Sequence, residues 1–256
     1  YCGQGPRRPA YRRTYADTVW KMKNSIPIYR TSTIVAAVTG VTRRSANPKT
    51  GDMLQLSILV RKVEPLEALR KGLDRHNCGG CLYSSTENGG NNDCYVLVGQ
   101  MPTQVYRSVK GQRIPDIDPA DIRPGKPIRL GAYGDPGFLP LSVLKSWTAG
   151  QPGAPSRKFT GYSHQWRTLP VEYSQYLMAS CETPADVKLA NERGWRAYRT
   201  IEHIDSPISA NEIVCPHIGR HKVQCADCRL CSGSSIGAKS IVIPLHGGRF
   251  NRRKAA

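Results

Sequence analysis

The stretch TPADVKLANERGWRAYRTI, residues 183–201, carries a helix and a strand with their punctuation in place. Thr183 suits an N-cap, Pro184 the first helical turn and Gly194 the stop, so Pro184–Arg193 is expected to be helical. Trp195–Ile201 resumes as a strand, and Tyr176–Ser180 supplies another just upstream. Strand, helix and strand in that order make a βαβ unit, whose crossover leaves the two strands parallel.

The alternation extends through most of the chain. Leu54–Val60 has the pattern of a strand, Glu64–Leu73 of a helix opened by Pro65, Tyr95–Val98 of a short strand and Thr103–Lys110 of a helix. Ile128–Tyr133 and Lys158–Tyr162 are expected strands with a helix, Leu139–Trp147, between them, and Ser240–Pro244 is the last strand. The fold class that follows is α/β: a parallel sheet of βα units, with an incomplete (β/α) barrel as one form of it, bearing cysteine-rich metal-binding loops.

Such folds place chemistry just beyond the carboxyl ends of their strands. The residues there are polar: Gly134-Asp135-Pro136, Ser163-His164-Gln165-Trp166, Cys181-Glu182-Thr183 and His246-Gly247-Gly248. Parallel order would put Asp135, His164, Cys181 and His246 on one rim. Asp135 and His164 are the candidate catalytic residues, His164 because an imidazole titrates near neutrality. Each of these residue types also serves as a cap or turn former.

The 256 residues carry a formal charge of +18. Residues 1–30 hold seven Arg or Lys against Asp17 alone, and are expected to form a basic extended arm; 31–248 form the α/β domain and 249–256 a basic tail. Such tails attract phosphate polymers through counterion release, and Tyr11 and Tyr15, set among Arg7, Arg8, Arg12 and Arg13, can stack on bases. Nucleic acid or a ribonucleoprotein is the expected partner; a solubilising arm, or one that packs on a partner protein, is the alternative. No apolar run approaches the ~20 residues of a membrane span, and no signal-peptide core is present. Nine cysteines without an export signal point to a cytoplasmic chain whose thiols hold metal.

Those cysteines fall into two groups. Cys215-Pro216 precedes Cys225-Ala-Asp-Cys228-Arg-Leu-Cys231, in which two successive two-residue gaps let three thiolates converge and Cys215 close the set. The run resembles bacterial-ferredoxin [4Fe–4S] spacing, where proline also follows a ligand; a structural zinc is the alternative. The other group, Cys78-Gly-Gly-Cys81 and Cys94, has three local thiols. Either Cys181, His76 or Cys2 completes it, or one iron of a cluster keeps an open position that can bind a small molecule; a zinc site completed by His76 or Cys181 is the alternative. Cys181 also fits a buried core thiol.

Taken together, Asn47-Pro-Lys-Thr-Gly51, Cys78-Gly-Gly-Cys81, Cys94-Tyr-Val-Leu-Val-Gly99, Arg129-Leu-Gly-Ala-Tyr-Gly-Asp-Pro136, Thr160-Gly-Tyr-Ser-His-Gln-Trp166, Cys225-Ala-Asp-Cys228 and Ile241-Val-Ile-Pro-Leu-His-Gly247 resemble an uncharacterised family of bacteriophage and prophage proteins. The resemblance runs from about residue 45 to 248 and implies a host-cell cytoplasmic location. More distantly, the layout is similar to the radical S-adenosylmethionine superfamily. That resemblance implies a cluster on Cys78, Cys81 and Cys94, with Gly134, Asp135 and Pro136 as the turn that contacts the amino group of S-adenosylmethionine, and an auxiliary cluster on the second group. The gaps of two and twelve residues between Cys78, Cys81 and Cys94 depart from that superfamily's compact C-x₃-C-x₂-C loop.

The function classes that remain are an iron–sulfur enzyme acting on nucleic acid, a non-catalytic nucleic-acid-associated or virion-assembly protein with structural iron–sulfur or zinc sites, and an electron-transfer protein. Gly247-Gly248 lacks the Lys-Ser/Thr of a phosphate loop, and no glycosidase or Ser-His-Asp constellation can be placed.

Overall fold

The segment Leu54–Val60 is buried at every position, which requires cover on both of its faces. Leu54, Leu56 and Ile58 pack with Ile128, Leu130, Leu144 and Trp166 in one core, whereas Leu59 joins Val35, Ala37, Val105 and Tyr106 in another. In the computed structural model, which describes residues 22–89, 94–150, 152–153, 155–218, 222–234 and 237–245, this segment lies inside a nine-stranded sheet.

The strands are β1 (Ser25–Arg30), β2 (Ile34–Thr39), β3 (Leu54–Val60), β4 (Ile128–Tyr133), β5 (Phe159–Ser163), β6 (Met178–Cys181), β7 (Ala197–Ile201), β8 (Glu212–Val214) and β9 (Ser240–Pro244). Their spatial order is β1-β2-β3-β4-β5-β6-β7-β9-β8. From β3 onward every pairing is parallel, while β1–β2 and β2–β3 are antiparallel.

The helices are α1 (Pro65–Arg70), α2 (Arg75–Cys78), α3 (Met101–Val109), α4 (Leu141–Thr148), α5 (Pro184–Glu192) and α6 (Cys225–Cys228). α4 and α5 cover one sheet face through Leu144, Trp147, Val187 and Ala190; α3 covers part of the other through Val105, Tyr106 and Val109. A full capping box starts α5: Asp186 N–H donates to Thr183 Oγ1 at 3.1 Å, and Thr183 N–H to Asp186 Oδ2 at 3.2 Å. Among the described residues no helix is long and apolar enough to cross a membrane.

The parallel α/β expectation holds from β3 to β9, but the barrel form is corrected to an open sheet. β1 and β8 end it without pairing, because the antiparallel β1–β2–β3 ribbon interrupts the βα repeat on which closure depends. The basic arm is corrected as well. Its last six residues are β1, where Ser25, Ile26 and Pro27 are buried and Arg30 donates to the Gln112 carbonyl at 2.8 Å. Residues 1–21, with Cys2, Tyr11 and Tyr15, and the tail 249–256 lie outside the described residues. Tyr95–Val98 is turn rather than strand; Val96 and Val98 pack under α3, and Gln100 N–H closes on the Leu97 carbonyl.

Candidate metal centres

α2 and the loop after it reach the carboxyl edge of the sheet through two anchors. Buried Asp74 accepts the Ser85 N–H at 2.9 Å and the hydroxyls of Ser85 and Thr86 at 2.8 Å each, which closes the loop around Cys78 and Cys81. Asn77 donates through Nδ2 to the Ile58 carbonyl at 2.9 Å, and its own carbonyl accepts Asp135 N–H at 2.6 Å. The backbone before Cys78 is thereby fixed to the turn that follows β4. Gly134 makes the close approach possible: its φ is +74°, and a Cβ there would lie 2.4 Å from the Ile58 oxygen and 3.0 Å from that of Asn77.

Asp135 is buried and three hydrogen bonds hold its carboxylate. Oδ1 accepts Gly137 N–H at 2.8 Å and the Ser163 hydroxyl at 2.6 Å, and Oδ2 accepts His164 N–H at 2.7 Å. It is a positioning residue that ties the end of β4 to the end of β5. The His164 ring turns toward β6, with Nε2 3.1 Å from Ser180 Oγ and 3.3 Å from Glu182 Oε1, the latter outside hydrogen-bond alignment. Burial opposes a charged ring, but Cys81, Glu182 and Asp135 beside it outweigh that and push His164 up to about 10.

Cys78, Cys81, Cys94, Gly134, Asp135 and His164 line one cavity of about 130 Å³, which also takes Tyr162, Tyr198 and Ile243 from within the strands. Burial pushes the Cys78 thiol up, and the charges that Cys81 and Cys94 would carry push it further. A bound cation removes both penalties at once, since a coordinating thiol is deprotonated outright.

A second cavity, of about 20 Å³, is lined by Cys215, Cys225, Cys228 and Cys231, together with His217 and Ile241. α6 is a single turn, and Arg229 in the left-handed region (φ +59°) swings the chain back toward Cys231. Cys225 N–H donates to the Lys49 carbonyl at 3.1 Å and Ala226 N–H to that of Thr50 at 3.0 Å. Cys215 N–H donates to the Val242 carbonyl at 2.8 Å, and the Cys231 carbonyl accepts Gly161 N–H at 3.0 Å. Burial raises the Cys231 thiol, and Cys215, Cys225 and Cys228 add to the rise.

No family model, curated protein or solved structure matches this chain.

Every described cysteine is a free thiol. Among the described residues no group of three or more His, Cys, Asp or Glu side chains is placed to hold a single metal ion, so the sulfurs surround two spaces without closing on a point. In donor type, number and shared cavity the two sets fit soft-metal centres.

All seven cysteines expected as ligands therefore fall into the two expected sets. Cys181 does not join them: it is fully buried among Ala179, Val187 and Trp195. His76 does not line the first cavity either, and Cys2 and His246 lie outside the described residues. The pattern reading missed Tyr83, Tyr162, Ser180, Tyr198 and Thr200, which also line that cavity. For Tyr198 and Thr200 the signal was period-2 spacing within a strand, which turns both side chains to one face; Tyr83 lies in a turn and had none.

Proposed function

We propose that this is a phage-type iron–sulfur enzyme of the host cytoplasm, acting on nucleic acid in the manner of the radical S-adenosylmethionine superfamily. Cys78, Cys81 and Cys94 hold a [4Fe–4S] cluster with one open iron, and Cys215, Cys225, Cys228 and Cys231 hold a closed one. The observation that carries this reading is the shared cavity: three thiols, Gly134, Asp135 and His164 line it together at the carboxyl edge of parallel strands, whereas Pro136, next in the turn, is not among its lining residues. When bound, such a cluster supplies one electron and a Lewis-acidic iron for the amino acid end of S-adenosylmethionine. Gly134 and Asp135 border that position, Asp135 holding the turn and the β5 end in register. His164, held by Ser180 and flanked by Glu182, sets an imidazole beside the cavity that can give or take a proton. The charge of +18 draws a polyanionic substrate to the enzyme.

Anaerobic purification with iron, sulfide and zinc determined per chain tests this reading. About eight iron and eight sulfide are expected for two [4Fe–4S] centres, with a reduced EPR spectrum that changes when S-adenosylmethionine is added. An unchanged spectrum overturns the open iron.

The small volume of the C-terminal cavity favours a second reading, in which four thiols hold one zinc and the protein is a non-catalytic nucleic-acid-associated or virion-assembly factor. One zinc per chain and no iron would establish it.

A further inference from the structure

Both cysteine cavities open on the same face of the sheet. Along β9, Ile241 lines the C-terminal cavity and Ile243 the N-terminal one, and along β5 Thr160 and Tyr162 repeat that division. Two residues of strand span roughly 7 Å, so the edges of the two spaces are that close. What fills the interval is packed side chain. Tyr162 and Tyr198 stack with centroids 4.4 Å apart and planes at 10°. Both rings line the N-terminal cavity, and both belong to a cluster that includes Cys215, Cys231 and Leu230 of the C-terminal one. Met178, Ile241 and Ile243 in that cluster are 0–1 % exposed, so no solvent layer intervenes.

Arg129 of β4 belongs to the same bridge. Its guanidinium donates to the phenolic oxygens of Tyr95 and, at 3.2 Å, Tyr162, and it forms no ion pair with a carboxylate among the described residues. Across the β4–β5 ladder it pairs with Thr160, which lines the C-terminal cavity. A partly buried cation without a carboxylate is costly unless another anion stands nearby, and a thiolate-ligated metal centre is such an anion.

We propose that Tyr162, Tyr198 and Arg129 form an electron path joining the two cysteine sites, so that the C-terminal site relays electrons to the N-terminal one. The proposal rests on the reading that both sites hold iron–sulfur clusters. One electron enters at Cys215, Cys225, Cys228 and Cys231 from a reduced one-electron donor of the ferredoxin or flavodoxin class, and leaves at Cys78, Cys81 and Cys94. The donor is oxidised by one electron and the N-terminal site reduced by one. No bond forms or breaks and no proton transfer is required; the rings are packed medium and are not themselves oxidised. The exposed Lys222 and Arg229 beside the C-terminal loop suit an acidic donor protein. Arg129, as a nearby positive charge, holds the C-terminal potential up.

The test is EPR on the anaerobically purified full chain, with a Cys225→Ser/Cys228→Ser variant as the single-site reference. In the chain with both sites reduced, the N-terminal signal is expected to be broadened by spin–spin coupling and to narrow in the reference. The reference is also expected to lose reduction of the N-terminal site by reduced flavodoxin while keeping reduction by dithionite. Arg129→Gln should shift the C-terminal midpoint to lower potential. Tyr162→Phe/Tyr198→Phe, which keeps the stack, should retain the coupling and the flavodoxin reduction; Tyr162→Leu/Tyr198→Leu, with iron content unchanged, should lose the fast phase of N-terminal reduction. Two clusters with no broadening, and flavodoxin reduction intact in the reference, would overturn the relay and leave the cluster reading standing. A chain with no iron, or with zinc in the C-terminal site, overturns both.

Discussion

Asp135 Oδ2 accepts the backbone N–H of His164 at 2.7 Å, across two neighbouring parallel strands. That bond and the two at Oδ1 hold the carboxylate between the ends of β4 and β5, so its removal acts on geometry. Asp135→Ala orphans three donors and is expected to lower stability by about 2–4 kcal/mol, as charged acceptors in buried sites do. Urea denaturation measures the loss. Asp135→Asn, which keeps one acceptor oxygen, should lose visibly less.

Gly134 and Gly80 make a matched pair. Gly134→Ala meets the Ile58 oxygen at 2.4 Å in a positive-φ conformation, which adds roughly 1–3 kcal/mol of backbone strain. The Asn77–Cys78 backbone must then move, and iron bound by the N-terminal cysteines should fall. A Cβ on Gly80 meets nothing within 4 Å, so Gly80→Ala should retain full iron.

Cys181 tests which thiols are ligands. Cys181→Ser buries a hydroxyl in an apolar core and should destabilise the fold by about 1–3 kcal/mol while leaving iron per chain unchanged. Cys78→Ser should do the reverse, with iron lost and the melting temperature of the metal-free protein little altered.

Arg199 and Glu212 pair from either side of β9, Nε to Oε1 at 2.8 Å and Nη2 to Oε2 at 2.9 Å, with side chains 7 % and 3 % exposed. Glu212→Gln leaves the guanidinium buried without its counter-charge and should cost about 3–5 kcal/mol. Replacing both residues by Met should recover much of that, read from denaturation midpoints.

Asp52 gives the fold an acid-sensitive contact. The Arg123 guanidinium, bonded to it at 2.7 Å and 3.0 Å, and Lys126 at 2.8 Å hold its carboxyl well below the usual carboxylate range. A depressed folded-state pKa adds stability that is complete above the unfolded value of 3.8 and is lost as the pH falls from there through the folded value. Asp52→Asn should therefore be less stable than the parent at neutral pH, and the two should converge in acid below about pH 4.

Strands β4 and β9 and the long buried run of β3 were legible because each is an apolar segment bounded by Pro, Gly or polar turns. β1 was hidden by the cationic sequence around it; only the hairpin with β2 turns Ile26 inward, and a hairpin partner is not a local property. Tyr95–Val98 misled in the opposite sense, since its alternation serves packing under α3 instead of a ladder. The two thiol sets followed from spacing along the chain. The Tyr162–Tyr198 stack did not, because β5 and β7 become near neighbours only through the order of strands in the sheet.

The turn that carries Lys49 and Thr50 is the seat for Cys225 and Ala226, and Gln224 bonds to Pro48 176 residues away in sequence. During synthesis, the early turn leaves the ribosome long before the loop that docks on it exists. Assembly of the four-thiol cavity is accordingly a late event in biogenesis, after the sheet has been threaded through to β9.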